Sequence, residues 1–162
     1  NNINVRFTVN CEKSWPRSRR MYLRRLQEFW GERLQVHQSI NTVRQTAQFY
    51  EHDWTYLPNT SSNTANIASS SLHCGTPVIC YDVSPLNEIV RHEHSGLLLK
   101  CDVDCNWFGA PTAKPKLPSA VRLLGRAINE KGLHSKICRA DWYLEELQST
   151  FRGFWAKEWG IT

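Results

Sequence analysis

Residues Tyr56 to Leu99 read YLPNTSSNTANIASSSLHCGTPVICYDVSPLNEIVRHEHSGLLL, and this stretch decides the fold. A short apolar run, Trp54 to Leu57, ends at Pro58. A run of Asn, Thr and Ser follows, then Gly75-Thr76-Pro77 and a second apolar run, Val78 to Tyr81. Strand, polar loop, short helix, glycine stop and strand form the unit that builds parallel sheets, because parallel neighbours need a crossover connection. Ligands of such sheets bind outside the carboxyl ends of the strands. The loop Asn59 to Asn66 falls at that place, with the helix running from about Asn66 to Cys74.

The same alternation extends outward. Ile3 to Val9 alternates apolar and polar residues and reads as a strand, broken at Trp15-Pro16. Arg17 to Trp30 carries Tyr22, Leu23, Leu26, Phe29 and Trp30 at helical spacing and stops at Gly31. Leu34 to His37 is a short strand, and Thr42 to His52 a helix capped by Asn41 or Thr42. After the second apolar run, Pro85 to Arg91 makes one or two helical turns and Gly96 to Lys100 a strand. Cys101 to Leu117, with Pro111 and Pro115, reads as a surface loop. Pro118-Ser119 then opens a helix that places Val121, Leu124 and Ile128 on one face and ends near Gly132. Residues 139–162 form a last helix whose apolar face includes Phe151, Phe154, Trp155 and Trp159. That face is too aromatic to lie bare in water and must dock on this domain or on a neighbour. The sum is an α/β fold of βαβ layers with a mostly parallel sheet.

The chain has 162 residues, the size of one ordinary domain, and 41% of them are hydrophobic, which excludes disordered and fibrous classes. No apolar run reaches the ~20 residues of a membrane span. No charged-then-apolar leader precedes the first strand, so the expectation is a cytoplasmic protein. The abrupt start at Asn1 reads as part of something longer. A net charge of +5 is compatible with an anionic ligand or an acidic partner. The basic face Arg17, Arg20 and Arg24 suits nucleic acid in principle, but such a face is more often a solvated surface, so no nucleic-acid partner is expected. The six cysteines are irregularly spaced and read as reduced thiols rather than a disulfide framework. Cys101 and Cys105 are the only close pair and lack a second pair at zinc-site spacing.

A helix N-terminus presents free N–H groups and a partial positive charge, so the loop from Asn59 and the helix after it can hold a phosphate without lysine. An ordinary polar connection with capping residues explains the same composition. His92 and His94 could share a metal, but two histidines without a third ligand nearby are more often surface residues, and no metal site is expected. His73 reads as structural. No G-x-G-x-x-G, Walker, G-x-S-x-G or H-E-x-x-H motif is present, which disfavours the usual dinucleotide, P-loop, serine-nucleophile and zinc-protease chemistries.

Leu57-Pro58, Gly75-Thr76-Pro77-Val78-Ile79, Glu88-Ile89-Val90 and Ser95-Gly96-Leu97-Leu98-Leu99 together resemble the C-terminal, nucleotide-sugar-binding domain of GT-B, family-4-like retaining glycosyltransferases. The resemblance covers most of Asn2 to Lys100. It implies a single Rossmann-like donor-binding domain over residues 1–162, the C-terminal half of a GT-B architecture. The missing N-terminal acceptor-binding domain would be its partner and would receive the helix 139–162. It implies transfer of a hexose-type sugar from a nucleoside-diphosphate donor with retention, without metal or other cofactor. The implied donor site comprises Ser62 by the sugar, the backbone of Asn63, Thr64, Ala65, Asn66 and Ile67 on the phosphates, Ser70 by the ribose, His37 near the base and Glu88 at a neighbouring helix. Ser62 and Ser70 stand where the family carries glutamates, and Ala65 where it carries glycine. No catalytic residue is assigned. Those serines also admit a second reading, a degenerate domain kept as a scaffold or partner-binding module.

Overall fold

The computed structural model describes residues 6–11, 16–38, 42–58, 62–105, 111–137 and 149. The chain divides into two compact units, Asn1–Gln45 and Thr46–Thr162.

In the first unit, strands β1 (Phe7–Cys11) and β2 (Leu34–Gln38) pair in parallel, with Phe7 opposite Leu34 and Asn10 opposite His37. Helix α1 (Arg17–Trp30) is the crossover between them. Leu23 and Leu34 are buried, and the Phe7 and Trp30 rings meet edge to face with centroids 5.1 Å apart. Helix α1 ends where expected because Gly31 adopts a φ of 55°, a conformation costly for any side chain, while its N–H donates to the Gln27 carbonyl.

The second unit begins within helix α2 (Thr42–Glu51) and centres on a parallel sheet of β3 (Thr55–Leu57), β4 (Val78–Tyr81) and β5 (Gly96–Leu99), in that order. Helix α3 (Ser62–His73) links β3 to β4, and helix α4 (Leu86–Ile89) links β4 to β5. The central strand β4 is buried along its whole length, the mark of a parallel strand covered on both faces. Its alternate residues divide the core in two. Val78 and Cys80 join Leu57, Ala68, Leu72, Leu86 and Val90 beneath α3 and α4. Ile79 and Tyr81 join Leu97, Leu99, Ala120, Leu123, Leu133 and Ile137 beneath α5 (Leu117–Asn129) and α6 (Leu133–Ile137). Full burial of each such Val, Leu or Ile contributes roughly 1.5–3 kcal/mol. An α/β fold with parallel strands and helices on both faces of a sheet is therefore present.

Three local expectations change. The segment read as a loop from Cys101 to Leu117 contains an antiparallel hairpin, β6 (Cys101–Cys105) against β7 (Pro111–Pro115). Alternation in Cys-Asp-Val-Asp-Cys and the ion pairs Lys114–Asp104 (3.3 Å) and Lys116–Asp102 (2.9 Å) favour pairing, while both prolines of β7 stand at its ends, where a missing N–H costs least. Helix α5 ends at Asn129, and the short α6 follows because Leu133 and Ile137, one turn apart, both reach the core. Helix α3 begins at Ser62 rather than near Asn66. The expected helix over 139–162 lies outside the described residues, Ser149 apart.

Candidate functional site

The early start of α3 is a packing effect. Thr64 (1% exposed), Ala68, Ser71 and Leu72 form one buried stripe at helical spacing, which draws the Ser/Asn/Thr run into the helix. The consequence is electrostatic. In an α-helix only the first four N–H groups lack an internal partner. Helix α3 begins at Ser62, so the N–H groups of Ala65, Asn66 and Ile67 fall inside the helical ladder. The expected phosphate cradle, Asn63 to Ile67, thus loses three of its five N–H groups to the helix. The side chains of Ser62 and Asn63 lie outside the described residues, and that of Thr64 faces the core.

Along the outer face of α3, Asn66, Ser69, Ser70 and His73 recur at i, i+3, i+4 and i+7. With Cys74 and with Thr46 of α2 they line an open cleft of about 490 Å³. That volume is in the range of small-molecule sites, ~300–1,000 Å³. Two expected donor-site residues, Asn66 and Ser70, are thus brought together. The His73 ring is held by Nδ1, which donates to the Ser69 carbonyl at 2.7 Å. At the cleft's cysteine, a hydrogen bond between Cys74 and the Tyr50 phenol raises the phenol's pKa above its ordinary value, with the thiol's charge and burial acting the same way. The lining supplies hydroxyls, an amide, an imidazole and a thiol, and no carboxylate. Such a surface hydrogen-bonds hydroxyl and phosphate oxygens without repelling an anion.

Glu88 does not line this cleft. It is exposed on α4, where it accepts a hydrogen bond from Ser84 Oγ at 2.5 Å. His37 belongs to the first unit, in β2 opposite Asn10. His92 and His94 are exposed, and each commits Nδ1 locally: the Leu98 N–H donates to His92 Nδ1, and His94 Nδ1 donates to the His92 carbonyl, both at 3.0 Å. Among the described residues no group of three or more His, Cys, Asp or Glu is arranged to hold a metal ion. Cys74, Cys80 and Cys101 are free thiols. Burial, with Asp82 nearby, pushes the Cys80 thiol up to about 12, so it is a core residue rather than a nucleophile. No described helix is long and apolar enough to cross a membrane.

Sequence reasoning named Asn66 and Ser70 but passed over Thr46, Ser69 and Cys74, and took His73 as structural. The available signal was the helical recurrence of small polar residues from Asn66 to His73, obscured while Asn66 was placed at the helix start. Neither the protein-family models nor the curated proteins searched match this sequence.

Proposed function

We propose that the second unit binds a nucleoside-diphosphate sugar along α3, as the donor-binding part of a GT-B-type retaining glycosyltransferase that transfers a hexose-type sugar. The observation that carries this reading is the order β3–α3–β4, in which α3 is the crossover between two parallel neighbouring strands and comes next in the chain after β3. The start of such a crossover is where doubly covered sheets bind anionic ligands. The diphosphate meets the first turn of α3 at the N–H groups of Ser62 and Asn63, and the nucleoside lies over the cleft of Asn66, Ser70 and His73. Ser62 and Ser70, eight residues of helix apart, are separated by about 12 Å along the axis. The sequence resemblance, from Gly75-Thr76-Pro77-Val78-Ile79 to Gly96-Leu97-Leu98-Leu99, supports the same assignment.

Calorimetric titration of the chain with uridine, guanosine and adenosine diphosphates tests it. Saturable binding of at least one, weakened when Ser70 is replaced by Leu, supports the proposal. No heat at millimolar ligand with any base removes it.

Burial of the Thr64 side chain in the first turn favours a second reading, a scaffold whose α3 is kept for packing. On that reading Ser70→Leu changes nothing, while Thr64→Ala lowers stability.

A further inference from the structure

We propose that α1 docks on an anionic phospholipid surface through its solvent-facing stripe. Leu23, Leu26 and Trp30, at i, i+3 and i+7, form the stripe nearer the sheet: Leu23 is buried, Leu26 half-buried, and the partly exposed Trp30 lies against Phe7 of β1 and against Phe29. A second stripe, Tyr22, Arg25 and Phe29, has the same spacing but faces water, with Phe29 81% and Tyr22 64% exposed. Met21, also exposed, extends it toward Arg17 and Arg24, and Arg20 lies beyond. Arg17, Arg20, Arg24 and Arg25 are all exposed, and among the described residues none of them enters an ion pair.

Large apolar side chains exposed in a row between exposed arginines select an occupant that is both oily and negative. A bilayer surface with acidic headgroups meets both demands at once. The aromatic rings enter the headgroup–acyl boundary, and the guanidinium groups bind lipid phosphates bidentately. Shape favours lipid over nucleic acid. Single strands are held in grooves or on flat aromatic platforms where successive bases stack. The α1 stripe is convex, and Tyr22 and Phe29 are separated by about 10 Å along the axis, too far for neighbouring bases. The helix is also about 21 Å long, short of a span, so it lies in the interface plane.

Flotation of the full chain with vesicles of phosphatidylcholine alone, or mixed with phosphatidylglycerol, tests the proposal without any nucleotide, so its outcome is independent of donor binding. Association is expected with the mixed vesicles only. Phe29→Ser is expected to weaken it about tenfold, and each of Arg20→Gln and Arg24→Gln about fivefold. These side chains are solvent-exposed, so unchanged circular dichroism confirms that folding is preserved. No flotation at low salt, or equal binding to neutral vesicles, overturns the proposal. So does binding to an oligothymidylate that depends on the arginines but not on Phe29. A dimer abolished by Phe29→Ser, with no flotation, would assign the stripe to a second copy instead and likewise overturn it.

Discussion

The hydroxyl of Ser71 in α3 donates to the carbonyl oxygen of Thr76 at 2.8 Å, and the Thr76 N–H returns a bond to the Ser71 carbonyl at 3.0 Å. Ser71 has one proton to give, so the 2.7 Å contact with Thr55 Oγ1 is a bond that the threonine donates. The Thr76 hydroxyl in turn donates to the Phe49 carbonyl in α2. Helices α2 and α3 and strand β3 are thereby tied to the segment that enters β4, in a region where Ser71 and Thr76 are 0% and 3% exposed. Replacing Ser71 by Ala strands a buried carbonyl and should cost about 1–3 kcal/mol. Urea unfolding would show a lower midpoint with an unchanged slope.

Gly96 stands opposite Val78 in the β4–β5 ladder, and a Cβ there would lie 2.0 Å from the Val78 carbonyl oxygen and 2.6 Å from Val90 Cγ1. The nearer obstacle is backbone and cannot swing away. Gly96→Ala is therefore expected to destabilise by roughly 1–3 kcal/mol, the usual range for overpacking. Thermal unfolding of the variant measures it. A melting temperature equal to the parent's would show that the ladder tolerates the atom.

The sealed Cys80 thiol makes stability fall at alkaline pH. Its folded pKa is raised to about 12, while an unfolded cysteine ionises near 8.5. As pH climbs through that window the unfolded chain loses its proton first, so the unfolded state is favoured and stability declines. Tyr56, raised to about 12 by burial and by its hydrogen bond to Tyr81, acts in the same direction. Cys80→Ala should flatten the decline of melting temperature above pH 9, and native Cys80 should resist iodoacetamide until the protein is unfolded.

Glu93, at a positive φ of 62°, pairs with Arg126 of α5 at 2.6 Å, and the guanidinium also holds Glu130 at 3.1 Å. The hydrogen bond from Arg126, then its charge, holds the Glu93 carboxyl below the usual range. A depressed folded pKa gives stability that is present above the unfolded value and lost as pH falls through the folded one. Both partners are exposed, so salt weakens the effect. In Arg126→Gln the Glu93 carboxyl, followed by carbon NMR, should titrate at higher pH than in the parent.

Elements whose burial follows their own periodicity were legible in the sequence. Helix α1 and strand β4 fall where the apolar spacing puts them, because Gly31 and the Gly75–Pro77 turn punctuate the chain sharply. What tertiary contacts decide was not legible. Ser, Asn and Thr compete with helix formation through their side chains, so nothing local announced that Thr64 would be buried and extend α3 by a turn. The β6–β7 hairpin, with Lys114 of β7 paired to Asp104 of β6 and Lys116 just beyond β7 paired to Asp102, was concealed by two prolines. At the site, the same shift of α3 hid the row Asn66, Ser69, Ser70 and His73, whose cleft wall also needs Thr46 from another helix.

The most direct measurement is an amide NMR titration of the chain with a nucleoside diphosphate. Donor binding along α3 predicts saturable shifts confined to the N–H groups of Ser62 and Asn63 and to residues around Asn66, Ser70 and His73. An unchanged spectrum, or shifts only outside α3, would contradict it.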